Sequence, residues 1–270
     1  MMNRRNFAGT FAALSVSAAM VQKGFARTAE PNAVQPNVPP ARGIRNVVLV
    51  HGLFADGSSW GKVIPLLQRA GLNVTAVQNP LTSFRDDVDA TSRAIALQDG
   101  PTVLVGHSYG GMVISEAGMD PKAAALVYVA ARAPDAGEDY GALARQFPTP
   151  PATAGITWAP DGFGQLTEEA FLRDFAGDLE PAEARAYFAV QGRVAKATPT
   201  ARTKAAAWHA KPSWYAVSTM DRTINTDLER FMAKRMGACT IELPASHVSL
   251  LSRPQEVTNL ILDAANGVRR

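Results

Sequence analysis

One pentapeptide constrains the fold more than any other stretch. Gly106-His107-Ser108-Tyr109-Gly110 follows directly on the apolar run Thr102-Val103-Leu104-Val105 and leads into a helix-compatible stretch over residues 109–119. A short continuous apolar run reads as a strand buried on both faces. A strand that passes into a helix within five residues must turn sharply. A Cβ at Gly106 or Gly110 would collide with neighbouring backbone in such a turn. The turn lifts the Ser108 hydroxyl above the end of the strand, near the amino end of the following helix, whose dipole favours developing negative charge. The G-x-S-x-G pattern is common by itself; the strand before it and the helix after it make it specific.

The rest of the chain repeats that order. Apolar, β-rich runs cover residues 46–50, 73–78, 124–129, 213–218 and 239–243. Between them lie helical stretches. One starts at Ser58-Ser59, carries Val63, Ile64, Leu66 and Leu67, and stops near Gly71. Others span 84–98, 109–119, 226–236 and 255–265, the last two closed by Gly237 and Asn266-Gly267. Such alternation predicts a parallel sheet covered on both faces. With 270 residues, 47% of them hydrophobic, the chain can build one large core.

The alternation breaks once. Over residues 133–211 no sheet strand is expected; the stretch holds Pro148, Pro150, Pro151 and Pro160 and amphipathic segments over 168–175 and 181–190. A structureless loop of that length inside a domain is unusual, so the segment is predicted to be an inserted helical cap. Its aromatics, Phe147, Trp158, Phe163, Phe171, Phe175, Tyr187 and Phe188, are expected mostly to pack the cap onto the body, with a minority lining a pocket. Cys239 is the single cysteine, so no disulfide can form within the chain, and its place in a strand predicts a buried filler.

A serine hydroxyl is a poor nucleophile unless a neighbouring base takes its proton. The chain has four histidines. His51 ends the first strand and His107 flanks the serine, where both are expected to shape their own loops. His209 lies at the exit of the insertion, with an exposed or packing role. His247, in Pro244-Ala245-Ser246-His247, comes just past the last strand, which places it at the carboxyl edge of the sheet with Ser108. It is the candidate base. The acid should follow a strand between the two. Asp227 and Glu229 fall in the first turn of a helix, where carboxylates serve as end-charge residues, and Glu242 lies inside a strand. Asp221, in Thr219-Met220-Asp221-Arg222, directly follows the strand over 213–218; a surface pair with Arg222 is its competing role. Two backbone N–H groups are needed to hold a developing oxyanion: Tyr109, after the serine, and Leu53 in His51-Gly52-Leu53-Phe54, with Phe54 second.

The N-terminus has its own order: Arg4-Arg5 before Phe7, an apolar small-residue run over 8–21, then Lys23 and Gly24-Phe25-Ala26. That order predicts an export signal over residues 1–26, of twin-arginine type, cut after Ala26. A Pro-rich tether over 27–42 follows, then the domain over 43–270. The expected location is periplasmic or secreted, with no stable membrane association once the signal is removed. Three of the 27 basic residues and no acidic residue lie in the signal, so 24 of each sign remain. A formally neutral body offers phosphate backbones no bulk attraction, and nucleic acid is not an expected partner. No cluster has metal-ligand spacing and no G-x-G-x-x-G follows a strand, so neither a metal nor another cofactor is implied.

Together Val47–Trp60 (VVLVHGLFADGSSW), Val103–Val113 (VLVGHSYGGMV), Asp221 and Ser246-His247 resemble the α/β-hydrolase superfamily. More narrowly they resemble small bacterial hydrolases related to plant methylesterases and hydroxynitrile lyases. The resemblance covers residues 44–132 and 212–265. It implies the α/β-hydrolase fold, a mostly parallel sheet of about six strands with helices on both faces and an inserted helical cap. It also implies a triad at Ser108, Asp221 and His247. The lyases of this group carry Thr after the first-strand His and Lys after the catalytic His, where this chain has Gly52 and Val248. Dehalogenases and most epoxide hydrolases of the fold carry Asp where this chain has Ser108.

The sequence therefore predicts a serine hydrolase acting on a small-molecule carboxylic ester through an acyl-enzyme. The apolar insertion and the lack of a cationic clamp point to a small-to-medium apolar or aromatic ester. A C–C hydrolase, lactonase, cofactor-free perhydrolase or lyase could use the same triad, and a non-catalytic binding protein could keep the fold.

Overall fold

Six of the apolar runs become one sheet. The computed structural model describes residues 43–267; the expected signal over 1–26 and tether over 27–42 lie outside the described residues. In chain order the first four strands are β1 (Asn46–Val50), β2 (Asn73–Val77), β3 (Thr102–His107) and β4 (Ala123–Val129). Three short strands follow in the inserted segment, β5 (Ile156–Trp158), β6 (Phe163–Leu166) and β7 (Val194–Ala195), and then β8 (Ser213–Ser218) and β9 (Cys239–Leu243). The main sheet runs β2-β1-β3-β4-β8-β9, and every pairing in it is parallel. Parallel neighbours put all six carboxyl ends on one edge. The chain leaves β1 for the outer β2 and returns on the other side as β3, so the loops after β1 and β3 diverge across a crevice, where sites of such sheets form.

The helices between the strands are built from local signals. Helix α1 (Ile64–Arg69) has Pro65 in its first turn. Helix α2 (Phe84–Ala96) is capped by Ser83, whose hydroxyl accepts the Asp86 N–H, and it buries Phe84, Asp87, Val88, Thr91, Ala94 and Ile95 on one stripe. Helix α3 (Gly110–Ala117) begins two residues after Ser108 and is buried almost throughout. In the insertion lie α4 (Tyr140–Ala144), α5 (Glu168–Ala170), which continues as a π-helical turn over Phe171–Phe175, and α6 (Pro181–Ala189). Helix α7 (Thr226–Arg235), α8 (Ser249–Ser252) and α9 (Pro254–Gly267) complete the chain. Helix α9 packs on β3, β4 and β8 and meets α1, while α3 packs on β1, β3 and β4 and meets α2. Strands β1, β3 and β8 are buried along their whole length, and β4 at all but one position, as a sheet covered on both faces requires.

Two expectations are corrected. The inserted segment is not purely helical: β5, β6 and β7 form a small antiparallel sheet of their own. Its tight connection uses Asp161-Gly162, with Gly162 at φ 83° and the Asp161 carboxylate accepting the Phe163 N–H at 2.9 Å. These strands have two to four residues, too few for an alternating pattern to emerge from the sequence. Cys239 is exposed rather than buried. It opens β9, an edge strand whose residues are mostly solvent-facing, so an apolar run there does not mean two covered faces.

An exposed thiol should be titrated by an aromatic disulfide reagent in native protein, with one equivalent released per chain at a rate little changed by denaturant. Protection of the thiol until unfolding would instead put Cys239 in the interior.

Candidate active site

Ser108 takes the left-handed backbone conformation, with φ 54°. For a non-glycine residue that costs on the order of 1–3 kcal/mol and persists only where the surroundings hold it. The Ser108 N–H donates to the Val129 carbonyl at 3.1 Å, and its own carbonyl accepts from Gly111 at 3.0 Å and Arg132 at 2.9 Å. A Cβ on Gly106 would lie 2.6 Å from the Gly110 carbonyl oxygen and 2.7 Å from the Gly111 nitrogen. Only glycine lets the chain double back that closely.

Asp221 and His247 enter from the ends of β8 and β9. The two loops are tied together, as the Met220 N–H donates to the Ala245 carbonyl at 3.1 Å. Asp221 Oδ1 accepts the N–H groups of Thr223 at 2.6 Å and Ile224 at 2.9 Å. Its Oδ2 lies 2.6 Å from His247 Nδ1, and His247 Nε2 lies 2.8 Å from Ser108 Oγ. A carboxylate only accepts, so Nδ1 carries the proton and Nε2 accepts from the serine hydroxyl. The structure thus brings the three predicted residues into one hydrogen-bonded chain inside a buried centre, with His247 0% and Ser108 5% exposed. The competing partner for Asp221 is engaged elsewhere: Arg222 Nε donates to Asp174 Oδ1 at 2.7 Å.

The loop after β1 passes beside the serine. A Cβ on Gly52 would lie 2.6 Å from Ser108 Cβ and 3.1 Å from the His107 carbonyl oxygen. Leu53 and Phe54, both buried, follow at once, Phe54 at φ 58°. Leu53 is thereby near Ser108 in space, as Tyr109 is in sequence. The other histidines serve their own loops. His51 Nε2 accepts the Asn79 N–H at 2.9 Å. His209 is exposed and pairs with Asp135 at 2.9 Å. His107 Nε2 donates to the His247 carbonyl at 3.0 Å. Burial, and next the nearby His247 ring, push the His107 imidazole well below its ordinary pKa, so it stays neutral.

A narrow apolar cleft adjoins the centre, lined by Phe54, His107, Phe171, Phe175, Val248 and Leu251. Of the aromatics in the insertion, Phe171 and Phe175 are buried, and the Phe175 ring lies 5.0 Å from that of His247. Trp158 is exposed. Among the described residues no group of His, Cys, Asp and Glu could hold a metal ion.

Several polar residues around the centre escaped sequence reasoning. Asp178, in the insertion, accepts the Ser246 N–H at 2.9 Å and also the Ser246 hydroxyl, clamping the residue before His247. Nothing in its local sequence marks it, because its partner is 68 residues away. Glu229 is a correction. It was expected to be an ordinary end-charge residue of α7, but it is fully buried and accepts the Ser218 N–H at 3.1 Å. Asp227 and Glu242 are exposed and pair with Arg230. Asp87, on α2, accepts the Tyr109 phenol at 2.7 Å and the Leu81 N–H at 2.8 Å, anchoring the residue that follows the serine.

Residues 47–260 match the sequence profile of the Alpha/beta hydrolase family, and the chain belongs to that family. Among curated proteins it is 27% identical over 251 residues to the pyrethroid hydrolase of Sphingobium wenxiniae, covering 83% of this chain and 88% of the relative. It is 27% identical to polyneuridine aldehyde esterase of Rauvolfia serpentina and 26% to salicylic acid-binding protein 2 of Nicotiana tabacum, each covering 82% of this chain and 96% or more of the relative. A crystal structure of a pyrethroid hydrolase superposes with a TM-score of 0.70 at 23% identity, covering 82% of this chain and 98% of that one. That likeness concerns the fold. Hydrolase is the class named by the family and by the pyrethroid hydrolase and polyneuridine aldehyde esterase relatives.

Burial raises the Asp87 carboxyl to about 6 against the opposing hydrogen bonds from Tyr109 and Leu81. Between pH 4 and 6 the unfolded chain has released that proton while the folded chain keeps it, so stability falls as pH rises through this window. Asp87→Asn should lack this loss. Relative to wild type it should gain up to ~3 kcal/mol between pH 4 and pH 7, read from urea midpoints. A constant difference across that range would mean that Asp87 is ionised throughout.

Proposed function

We propose that the protein is a serine carboxylesterase acting through an acyl-enzyme on small-to-medium apolar or aromatic esters. The single observation that carries this reading is the buried relay from Asp221 Oδ2 to His247 Nδ1 and from His247 Nε2 to Ser108 Oγ, at 2.6 and 2.8 Å. In the proposed mechanism His247 Nε2 takes the hydroxyl proton as Ser108 Oγ bonds to the carbonyl carbon. Asp221 holds the tautomer and balances the imidazolium. The oxyanion is stabilised by the N–H groups of Leu53 and Tyr109, each worth roughly 3 kcal/mol in the transition state. The C–O bond breaks, His247 returns the proton to the leaving alcohol, and water then attacks the acyl-enzyme with the same base.

Substrate class follows from the surroundings. The adjoining cleft presents Phe54, Phe171, Phe175 and Leu251, with Asp56 on its wall and no cationic side chain, which disfavours an anionic group and favours an apolar or aromatic one. Relatives named as a pyrethroid hydrolase and a polyneuridine aldehyde esterase support ester chemistry. Val248 after His247, rather than a lysine, speaks for hydrolysis over cyanide release.

Ser108→Ala should lower kcat by about a millionfold toward an aromatic ester, and an organophosphonate should label Ser108 of the wild type alone. Esters graded by acyl and alcohol size should show turnover concentrated on uncharged aromatic members. Ester turnover surviving in Ser108→Ala would remove the serine from the mechanism. Activity confined to lactones or cyanohydrins would replace the esterase reading.

Export belongs to the same proposal, supported by Arg4-Arg5 and the apolar run behind them. In a bacterial host the wild type should fractionate outside the cytoplasm in a form shortened at its N-terminus. Joint Arg4→Lys and Arg5→Lys substitution should leave full-length precursor inside. An unshortened protein confined to the cytoplasm in both cases would overturn the export reading.

A further inference from the structure

Glu229 lies in a pocket that gives a carboxylate too few donors. Its side chain is fully buried on α7. One oxygen, Oε2, accepts the Ser218 N–H at 3.1 Å. No hydrogen-bond donor reaches Oε1. Besides the Ser218 N–H, the polar side chain within hydrogen-bonding reach of Glu229 is the Asp221 carboxylate. Asp221 already accepts from three donors: Thr223 N–H and Ile224 N–H on Oδ1, and His247 Nδ1–H on Oδ2. Two acceptors in contact bond to each other only when one carries a proton. The three donors favour ionised Asp221, which leaves the proton on Glu229.

We infer that Glu229 is a protonated carboxylic acid that donates a hydrogen bond to Asp221 and thereby positions the acid of the Ser108–His247–Asp221 relay. The inference rests on the esterase reading for its catalytic consequence, though not for the place of the proton. The charge balance is simple. Asp221 and Glu229 together hold one negative charge, enough to balance one imidazolium on His247, and the Glu229 O–H restrains the Asp221 carboxylate. Burial first, then the charge of Asp221, raises Glu229 well above its ordinary range. Among the charged and titratable groups around it, Asp221 opposes its ionisation and Tyr215 on β8 and Tyr140 on α4 carry no positive charge. Arg230 on its own helix favours ionisation, but it is paired with Asp227 and Glu242 and its effect is the smallest of those acting on Glu229.

Two variants separate the proton from the shape. Glu229→Gln keeps an acceptor for Ser218 and supplies an N–H donor for Asp221; Glu229→Ala supplies neither. The infrared spectrum of the whole protein at neutral pH should contain the C=O stretch of a protonated carboxyl that is absent from Glu229→Gln and present in Ser108→Ala. A wild-type spectrum without a band that Glu229→Gln removes overturns the inference. In ester turnover, Glu229→Gln should keep kcat within a few-fold of wild type, while Glu229→Ala should lose roughly tenfold or more in kcat with KM little changed. Full kcat in a folded Glu229→Ala, or equal loss in both variants, also overturns it. Should Glu229→Ala not fold, the pH profile decides. As pH rises above the ordinary carboxylate range, wild-type stability should fall relative to Glu229→Gln, because the folded chain alone keeps the proton, and parallel profiles count against the proposal. Failure of the esterase reading would show separately, as ester turnover in Ser108→Ala with the infrared band unchanged.

Discussion

The backbone of Ser108 is held where a serine does not sit willingly. Its left-handed conformation is maintained by the Val129 carbonyl below it, by N–H groups of Gly111 and Arg132 on its own carbonyl, and by glycine at position 106. The Val129 carbonyl and the Arg132 N–H come from β4 and the residues after it, packed parallel beside β3, and the Gly111 N–H from the first turn of α3. The strain is local, and the buried central strands supply the rigidity that keeps it. Around this point the other functional groups have little freedom. Gly52 must be small because Ser108 Cβ is already there, and the loop after β1 therefore runs beside the hydroxyl.

A second constraint is dielectric. Asp221, Glu229, Asp87, His107 and His247 are all buried within or next to the sheet's carboxyl edge. Unpaired charge is costly in such surroundings, and the arrangement answers it with ordered donors and shared protons. Asp221 takes two backbone N–H groups and an imidazole; His107 gives its proton to a carbonyl and stays neutral; Asp87 is shared between a phenol and a backbone N–H. The Ser246 clamp on Asp178 extends the same logic into the inserted segment, whose residues fasten the loop that carries His247. The insertion is therefore part of the centre's support as well as the wall of the adjoining cleft.

Much of this was legible in advance where physical signals are local. The strand runs over 46–50 and 213–218 coincide with β1 and β8, because buried parallel strands write themselves as continuous apolar runs; the run over 239–243 coincides with β9 although that edge strand is mostly exposed. The turn at Ser108 was readable from two glycines and its flanks. Signals that depend on distant neighbours were not readable. Cys239 has the same local pattern as a core residue, and only its position on the sheet's edge exposes it. Glu229 looks like any acidic residue near a helix start until β8 and Asp221 are seen to close over it. The strands β5, β6 and β7 are too short to carry a period.

Residue order by itself determined the class of fold, the serine at a sharp strand-to-helix turn, and the sequence of serine, aspartate and histidine along the chain. These follow from hydrophobic runs, glycine placement and loop chemistry, all of which act within a few residues. The tertiary structure decided which side chains meet: His247 with Ser108 across 139 residues, Asp178 with Ser246 across 68, Tyr109 with Asp87 across 22. It also decided which carboxyls keep their protons. Protonation in a dry interior depends on every neighbour within a few ångströms, and those neighbours come from strands and loops far apart in the chain.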